Sequence, residues 1–346
     1  MICSFKLSAT IDHFRALALV IVGVVACNTS NPVDQSAASG PEAAPLPPVD
    51  APLPEGPTTE APPAEAPPPD APPADAPAPE APAPDAPTTT DAGGIPMGLF
   101  HLAKEDFKGP YNGALHAAGP TDILRNLAAI KARGGRVILS LGGSQKYFKD
   151  AKGHFSWTKW KARVDRFRAV KFSSYIDDGT ILGHYLIDEP YDAHNFAGQV
   201  VGGATLEEMA KYSKEIWPSL ATIVRAEPYL VQWSGTYRYL DAAWAQYLHR
   251  KGDVEDYIAE NVRFAKSMGL ALVVGLNLHD GGIGNRAMTA SQVLSWGSML
   301  LSGSDPCAFI SWKYNATYLA RPDVHEAMEA LSGIARNRPS KACHNG

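Results

Sequence analysis

The sequence is short of several things, and each shortage narrows the reading. No apolar run is long enough to cross a bilayer: Ala16–Ala26 covers about eleven residues, against the roughly 20 a spanning helix needs. No G-x-G-x-x-G follows the first strand-like segment and no P-loop is present, which argues against a dinucleotide or nucleotide fold. No G-x-S-x-G elbow marks an activated serine. His101, His184 and His279 are scattered, with no H-x-H or H-E-x-x-H spacing, so neither a metal nor another cofactor is called for. Only four cysteines occur, and none has metal-ligand spacing. From Ser30 to Pro96 there is no Lys or Arg, and almost no large apolar side chain. Such a stretch cannot bury enough surface to offset its chain entropy.

What is present divides the chain into three parts. Residues 1–27 have the layout of an export signal, with Lys6 and Arg15 ahead of the apolar run. The run ends Val24-Val25-Ala26-Cys27, which resembles the bacterial lipobox, where the cysteine is lipidated and becomes the first mature residue. The resemblance implies a membrane anchor at Cys27 in the cell envelope. Asn28 in place of an aspartate leans towards the outer membrane or cell surface. Residues 28–96 are a Pro/Ala/acidic linker, with Ala61–Pro87 a loose five-residue repeat carrying acids of one sign. Proline and self-repulsion should hold it extended as a tether, with a reach on the order of 200 Å. The other reading is a Pro-rich ligand, although no basic residue flanks the prolines.

Residues 97–346 form the globular part. The whole chain carries −5, but the linker holds eleven acids and the signal +1, which leaves this part near +5. That charge is spread out and does not mark a nucleic-acid surface. About 250 residues alternating apolar strand-like runs with amphipathic helices predict a (β/α)8 TIM barrel. The strand candidates are 97–102, 112–116 (the weakest), 136–141, 182–188, 222–227, 240–247, 270–278 and 308–313. Thr121 is placed to cap a helix over 123–133 ended by Gly134-Gly135, and Asp253 to open another. Thr205-Leu206-Glu207-Glu208 and Thr289-Ala290-Ser291-Gln292 read as capping boxes. Cys307 and Cys343, left over in an exported domain, are a disulfide candidate that would tie the tail to the last strand; two free thiols are the alternative.

Candidate chemistry centres on Ile181–Pro190, an apolar run ending in Asp188, Glu189 and a proline that cannot continue a strand. At the C-terminal mouth of a barrel, such acids sit where chemistry is done. In Thr222–Pro228, period two puts Ile223, Arg225 and Glu227 on one face. An inward arginine needs a carboxylate, and Asp188 and Glu189 are next door. By the same parity, His184 faces the helices. Further on come Asn277, His279 and Asp280 at the end of the seventh strand, and Trp312 and Tyr314 at the end of the eighth. Trp233, Tyr237 and Tyr239 follow the fifth; aromatic faces suit sugar stacking or plain packing.

Glu189-Pro190 on the fourth strand resembles the barrel glycoside hydrolases whose acid/base glutamate ends that strand in an Asn-Glu-Pro-like motif; Asp188 stands where the Asn is usual. The resemblance implies hydrolysis of a polysaccharide or oligosaccharide, with Glu189 as general acid. It also implies a nucleophilic glutamate at the end of strand seven, which this chain lacks. Asp280 is the nearest acid there, with Glu227 and Asp241 as rival second carboxylates. Asp188, Arg225, Asn277, His279, Trp312 and Tyr314 would bind or position the substrate. Val137–Gly143 resembles the Ser-x-Gly-Gly strand of chitinase-like barrels, but Ile187 and Tyr185 replace that family's acids ahead of Glu189 and argue against its mechanism. The alternative from another class is a non-catalytic surface carbohydrate-binding barrel.

Overall fold

The computed structural model describes residues 94–232 and 236–344. The signal segment, Cys27, the linker up to residue 93 and Trp233 lie outside the described residues.

Eight strands close into one parallel barrel in chain order: β1 Met97–Phe100, β2 Gly113–His116, β3 Arg136–Leu139, β4 Ile181–Asp188, β5 Thr222–Arg225, β6 Ala242–Tyr247, β7 Ala271–Leu276 and β8 Pro306–Ser311. Every expected strand is present, including the weak second one, which pairs with both neighbours. The helices are α1 Ile123–Lys131, α2 Trp157–Asp165, α3 Ser173–Asp177, α4 Gly203–Ile216, α5 Val254–Ser267, α6 Ala290–Leu300, α7 Ala316–Leu319 and α8 Pro322–Arg336.

Period-two alternation sorts the strand side chains into two cores. Ile223, Ala242, Trp244, Val273 and Ile310 fill the barrel. Val224, Ala243, Ala245, Leu272 and Val274 face the helices. Each large apolar side chain so buried contributes about 1.5–3 kcal/mol. At Gly98 no side chain fits, because a Cβ there would run into the carbonyl of Gly113 on β2.

Helix starts partly follow the sequence signals. Asp253 caps α5 by accepting from the N–H groups of Glu255 and Asp256. Thr289 and Gln292 form the reciprocal box that opens α6. Two expectations are corrected. Asp122, not Thr121, occupies the cap position of α1, with no side-chain cap bond. Thr205 lies inside α4, which begins at Gly203. With Gly202 at the cap position, Thr205 is already helical and cannot form the box with Glu208. Glu207 accepts from the backbone N–H groups of Arg238, Tyr239 and Leu240 at 2.7–3.2 Å.

The floor of the barrel, at the strands' N-terminal ends, is closed by the C-terminal tail. Cys307 near the start of β8 is bridged to Cys343, with Cα atoms 5.4 Å apart, and Cys343 is buried among interior side chains. Lys341 donates to the Asp305 carbonyl at 2.8 Å. Asp241, just before β6, also sits at the floor. It accepts from the Thr222 N–H at 2.8 Å and pairs with Lys214 at 2.7 Å.

Candidate active site

The strict alternation of β4 breaks near its end. Its register with β5 shifts between Tyr185 and Asp188, which sets Asp188 opposite Arg225. Such shifts re-aim side chains next to functional sites. Glu189 then takes a left-handed backbone, φ 38°, a conformation unfavourable for any residue with a Cβ. Its neighbours hold it there. Its N–H donates to the Arg225 carbonyl at 3.0 Å. Its own carbonyl accepts from Asn195 at 3.2 Å, and that of Asp188 from Gln145 at 2.5 Å.

Arg225 ties the two acids together. Its Nε donates to Asp188, and its Nη2 lies 3.1 Å from Glu189 Oε1. The guanidinium also sits 5.6 Å from the Phe100 ring and 5.5 Å from the Trp312 ring, in cation–π range. Burial works against its charge, but Asp188, Tyr185 and Glu189 outweigh that and hold its pKa above the usual value. Tyr185, buried on the same strand, is pushed well up by burial and then by the Asp188 charge, and stays neutral.

Glu227 is the second carboxylate at the mouth. It is 2% exposed and collects three donors: Lys251 Nζ and Tyr257 OH (3.1 Å) on Oε1, and Tyr191 OH (3.3 Å) on Oε2. Donors converging in this way favour a negative charge. Burial draws Lys251 down to about 8; Glu189 opposes that and Arg225 adds to it.

Two of the cavities at this end are lined by the candidate residues. One of about 290 Å³ is lined by Phe100, Ser140, Tyr185, Asp188 and Trp312 among others. The other, about 110 Å³, is lined by Glu189, Glu227, Trp244, Gln246, Lys251 and Asn277, and Arg225 also borders it. The structure therefore brings Asp188, Glu189, Arg225, Glu227, Asn277 and Trp312 to the mouth.

The remaining candidates are placed elsewhere. Asp280 is exposed and borders neither of these cavities. Its N–H donates to Asn277 Oδ1 at 3.2 Å, so part of Asn277 serves the turn. His279 lies 3.1 Å from the Lys313 carbonyl and against Tyr318. Tyr314 is half-buried beside Asp106, and burial and that contact raise its pKa. Asp241 is at the opposite end of the barrel. Tyr237 donates to the Val231 carbonyl, and Tyr239 borders a depression with Lys211 and Pro218. His184 faces the helices, 2.8 Å from Ser213 Oγ and stacked on Trp160.

Sequence reasoning missed Tyr191, Lys251 and Tyr257, which reach Glu227 from loops and from α5. It also missed Trp244 and Gln246 on β6, although period two along Ala242–Tyr247 would have turned both inward.

No protein-family model and no curated protein matches the chain. Similar solved structures include a GH18 chitinase from Pseudoalteromonas aurantia, at 10% identity and TM-score 0.44, covering 69% of this chain and 99% of that one. Another is the catalytic domain of the major endoglucanase of Xanthomonas campestris pv. campestris, at 12% identity and TM-score 0.45, covering 70% and 94%. A D-psicose 3-epimerase is similar at 12% identity and TM-score 0.40, covering 70% and 96%. Likenesses this distant carry no argument about chemistry. The chain is a (β/α)8 barrel; what it does rests on its own side chains.

Proposed function

We propose that this barrel hydrolyses glycosidic bonds in a polysaccharide or oligosaccharide. One observation carries the reading: Glu189 and Glu227 line the same small cavity at the mouth, in unlike surroundings. Glu227 is buried under three donors, the setting of an ionised carboxylate. Glu189 has one ion-pair contact, to an arginine whose Nε already serves Asp188, and its side chain is 36% exposed. Paired carboxylates held in different environments divide the acid and base roles between them. Glu189 gives its proton to the glycosidic oxygen as the bond from that oxygen to the anomeric carbon breaks. Glu227 supplies the negative charge opposite, either attacking that carbon or taking a proton from the incoming water. Trp312, with Phe100 and Tyr185 in the same lining, offers the apolar face of a sugar its platform.

The N-terminal pattern extends the proposal: the enzyme works from the cell envelope, lipid-anchored at Cys27 and held out on the Pro-rich tether. The rival is a barrel that binds sugar without cleaving it. Asn277, at the end of β7 where a nucleophilic glutamate would stand, favours it. Reducing-sugar release from a panel of polysaccharides, wild type against Glu189→Gln, decides between them. Release that the variant abolishes is expected. Binding without release in the wild type supports the rival, and equal release from both removes Glu189 from the mechanism.

A further inference from the structure

Two residues that line the small cavity each carry a buried polar atom with no partner among the described residues. Trp244 is 0% exposed and Gln246 5%. Both line the cavity beside Glu189 and Glu227. Trp244 Nε1 and Gln246 Oε1 are buried and have no hydrogen-bond partner among the described residues. Burying a polar group without a partner is unfavourable, so a partner is implied.

The chemistry of that partner is constrained. Gln246 Nε2 donates to the Leu276 carbonyl at 2.7 Å. The amide nitrogen must face that acceptor, so the oxygen is the free atom. The indole N–H can only donate. The pair thus presents one donor and one acceptor, two residues apart on the same face of β6. An ionised carboxylate or a sulfate ester could accept from Trp244 but has no proton for Gln246. An ammonium could donate to Gln246 but cannot accept from Trp244. A hydroxyl does both. Trp244 is itself held in place, 4.6 Å from the Phe100 ring and 5.9 Å from that of Tyr185.

We propose that Trp244 and Gln246 are specificity residues that seat one free, uncharged hydroxyl of the saccharide unit next to Glu189. This deepens the reading of the mouth as a sugar site and rests on it. It excludes sugars on which that position is methylated, acylated, sulfated or oxidised to an acid. About 110 Å³ is room for a substituent and a few waters.

The test is a binding measurement on the folded barrel. D-glucose, D-galactose, D-mannose and N-acetyl-D-glucosamine are titrated by calorimetry into the wild type, followed by the monodeoxy forms of whichever binds. One deoxy position is expected to weaken binding about tenfold or more. Gln246→Met and Trp244→Phe are expected to weaken the parent sugar to a similar degree, and the sensitive deoxy form no further. Because the deoxy series uses unaltered protein, a variant that fails to fold does not remove the test. The inference is overturned if no sugar binds, if every deoxy form binds like its parent (a buried water then fills the pair), or if folded variants bind as the wild type does. Sugar binding with this pattern but no release from any polysaccharide would sink the hydrolase reading alone. Release unchanged by Gln246→Met would sink this inference alone.

Discussion

The two ends of the barrel are built from the same materials and used differently. At the floor, Asp241 pairs with Lys214 and accepts from the Thr222 backbone and hydroxyl, while the bridged tail covers the opening. At the mouth, Glu227 pairs with Lys251 and accepts from two tyrosines, yet Trp244 and Gln246 beside it keep unpaired atoms and Glu189 stays half-exposed. A buried carboxylate–ammonium pair is therefore no mark of a site by itself. What separates the ends is that, among the described residues, two that line a cavity at the mouth keep unpaired polar atoms.

Substitutions at the two ends should separate activity from stability. The largest expected effect is at the mouth: Glu189→Gln lowers turnover about a thousandfold, the scale of a lost general acid, with an unchanged urea midpoint. At the floor, Cys343→Ser opens a loop of sequence separation 36. It should cost about 3–4 kcal/mol of stability, read by urea unfolding, and leave kcat alone well below the melting temperature. If Cys343→Ser instead abolished turnover in folded protein, the division between the ends would break.

A third effect belongs to neither end. His184, buried with its Nδ1 on Ser213, has its pKa lowered by burial to about 3, against 6.5 in the unfolded chain. Between those values the unfolded chain binds more protons, so stability rises with pH. The full contribution is present above about 6.5 and is lost progressively as pH falls towards 3. Unfolding free energies from urea titrations at pH 7 and pH 4 should differ by a few kcal/mol, and His184→Gln should narrow the gap.

The smallest effects sharpen the contrast most. Tyr257→Phe removes one donor from Glu227 and should cost about 1 kcal/mol of stability together with a several-fold loss in kcat/KM. Thr222→Val removes a hydroxyl from Asp241 and should cost a similar stability with kcat/KM unmoved.

The strands and the acidic end of β4 were legible because both rest on local patterns. Alternation marks a strand, and Pro190 marks its stop. The pairing of Arg225 with Asp188 and Glu189 was legible too, since a barrel interior forces an inward cation to find an acid on the next strand. The donors on Glu227 were not. Lys251 follows β6 in a short turn and Tyr257 lies on α5, and only tertiary packing brings them within reach. The Thr205 signal misled because α4 starts two residues earlier, at Gly203, which leaves Thr205 inside the helix rather than at its cap. Asp280 was placed by analogy with a missing glutamate, and its exposed turn keeps it off the cavities.

The left-handed backbone of Glu189 also sets stability against use at one position. That conformation costs a residue with a side chain about 1 kcal/mol and costs glycine almost nothing. Glu189→Gly should therefore melt no lower than the wild type while losing turnover. A screen that selects for heat resistance alone would tend to erase this acid, so thermostable variants of the barrel are best chosen with position 189 held constant.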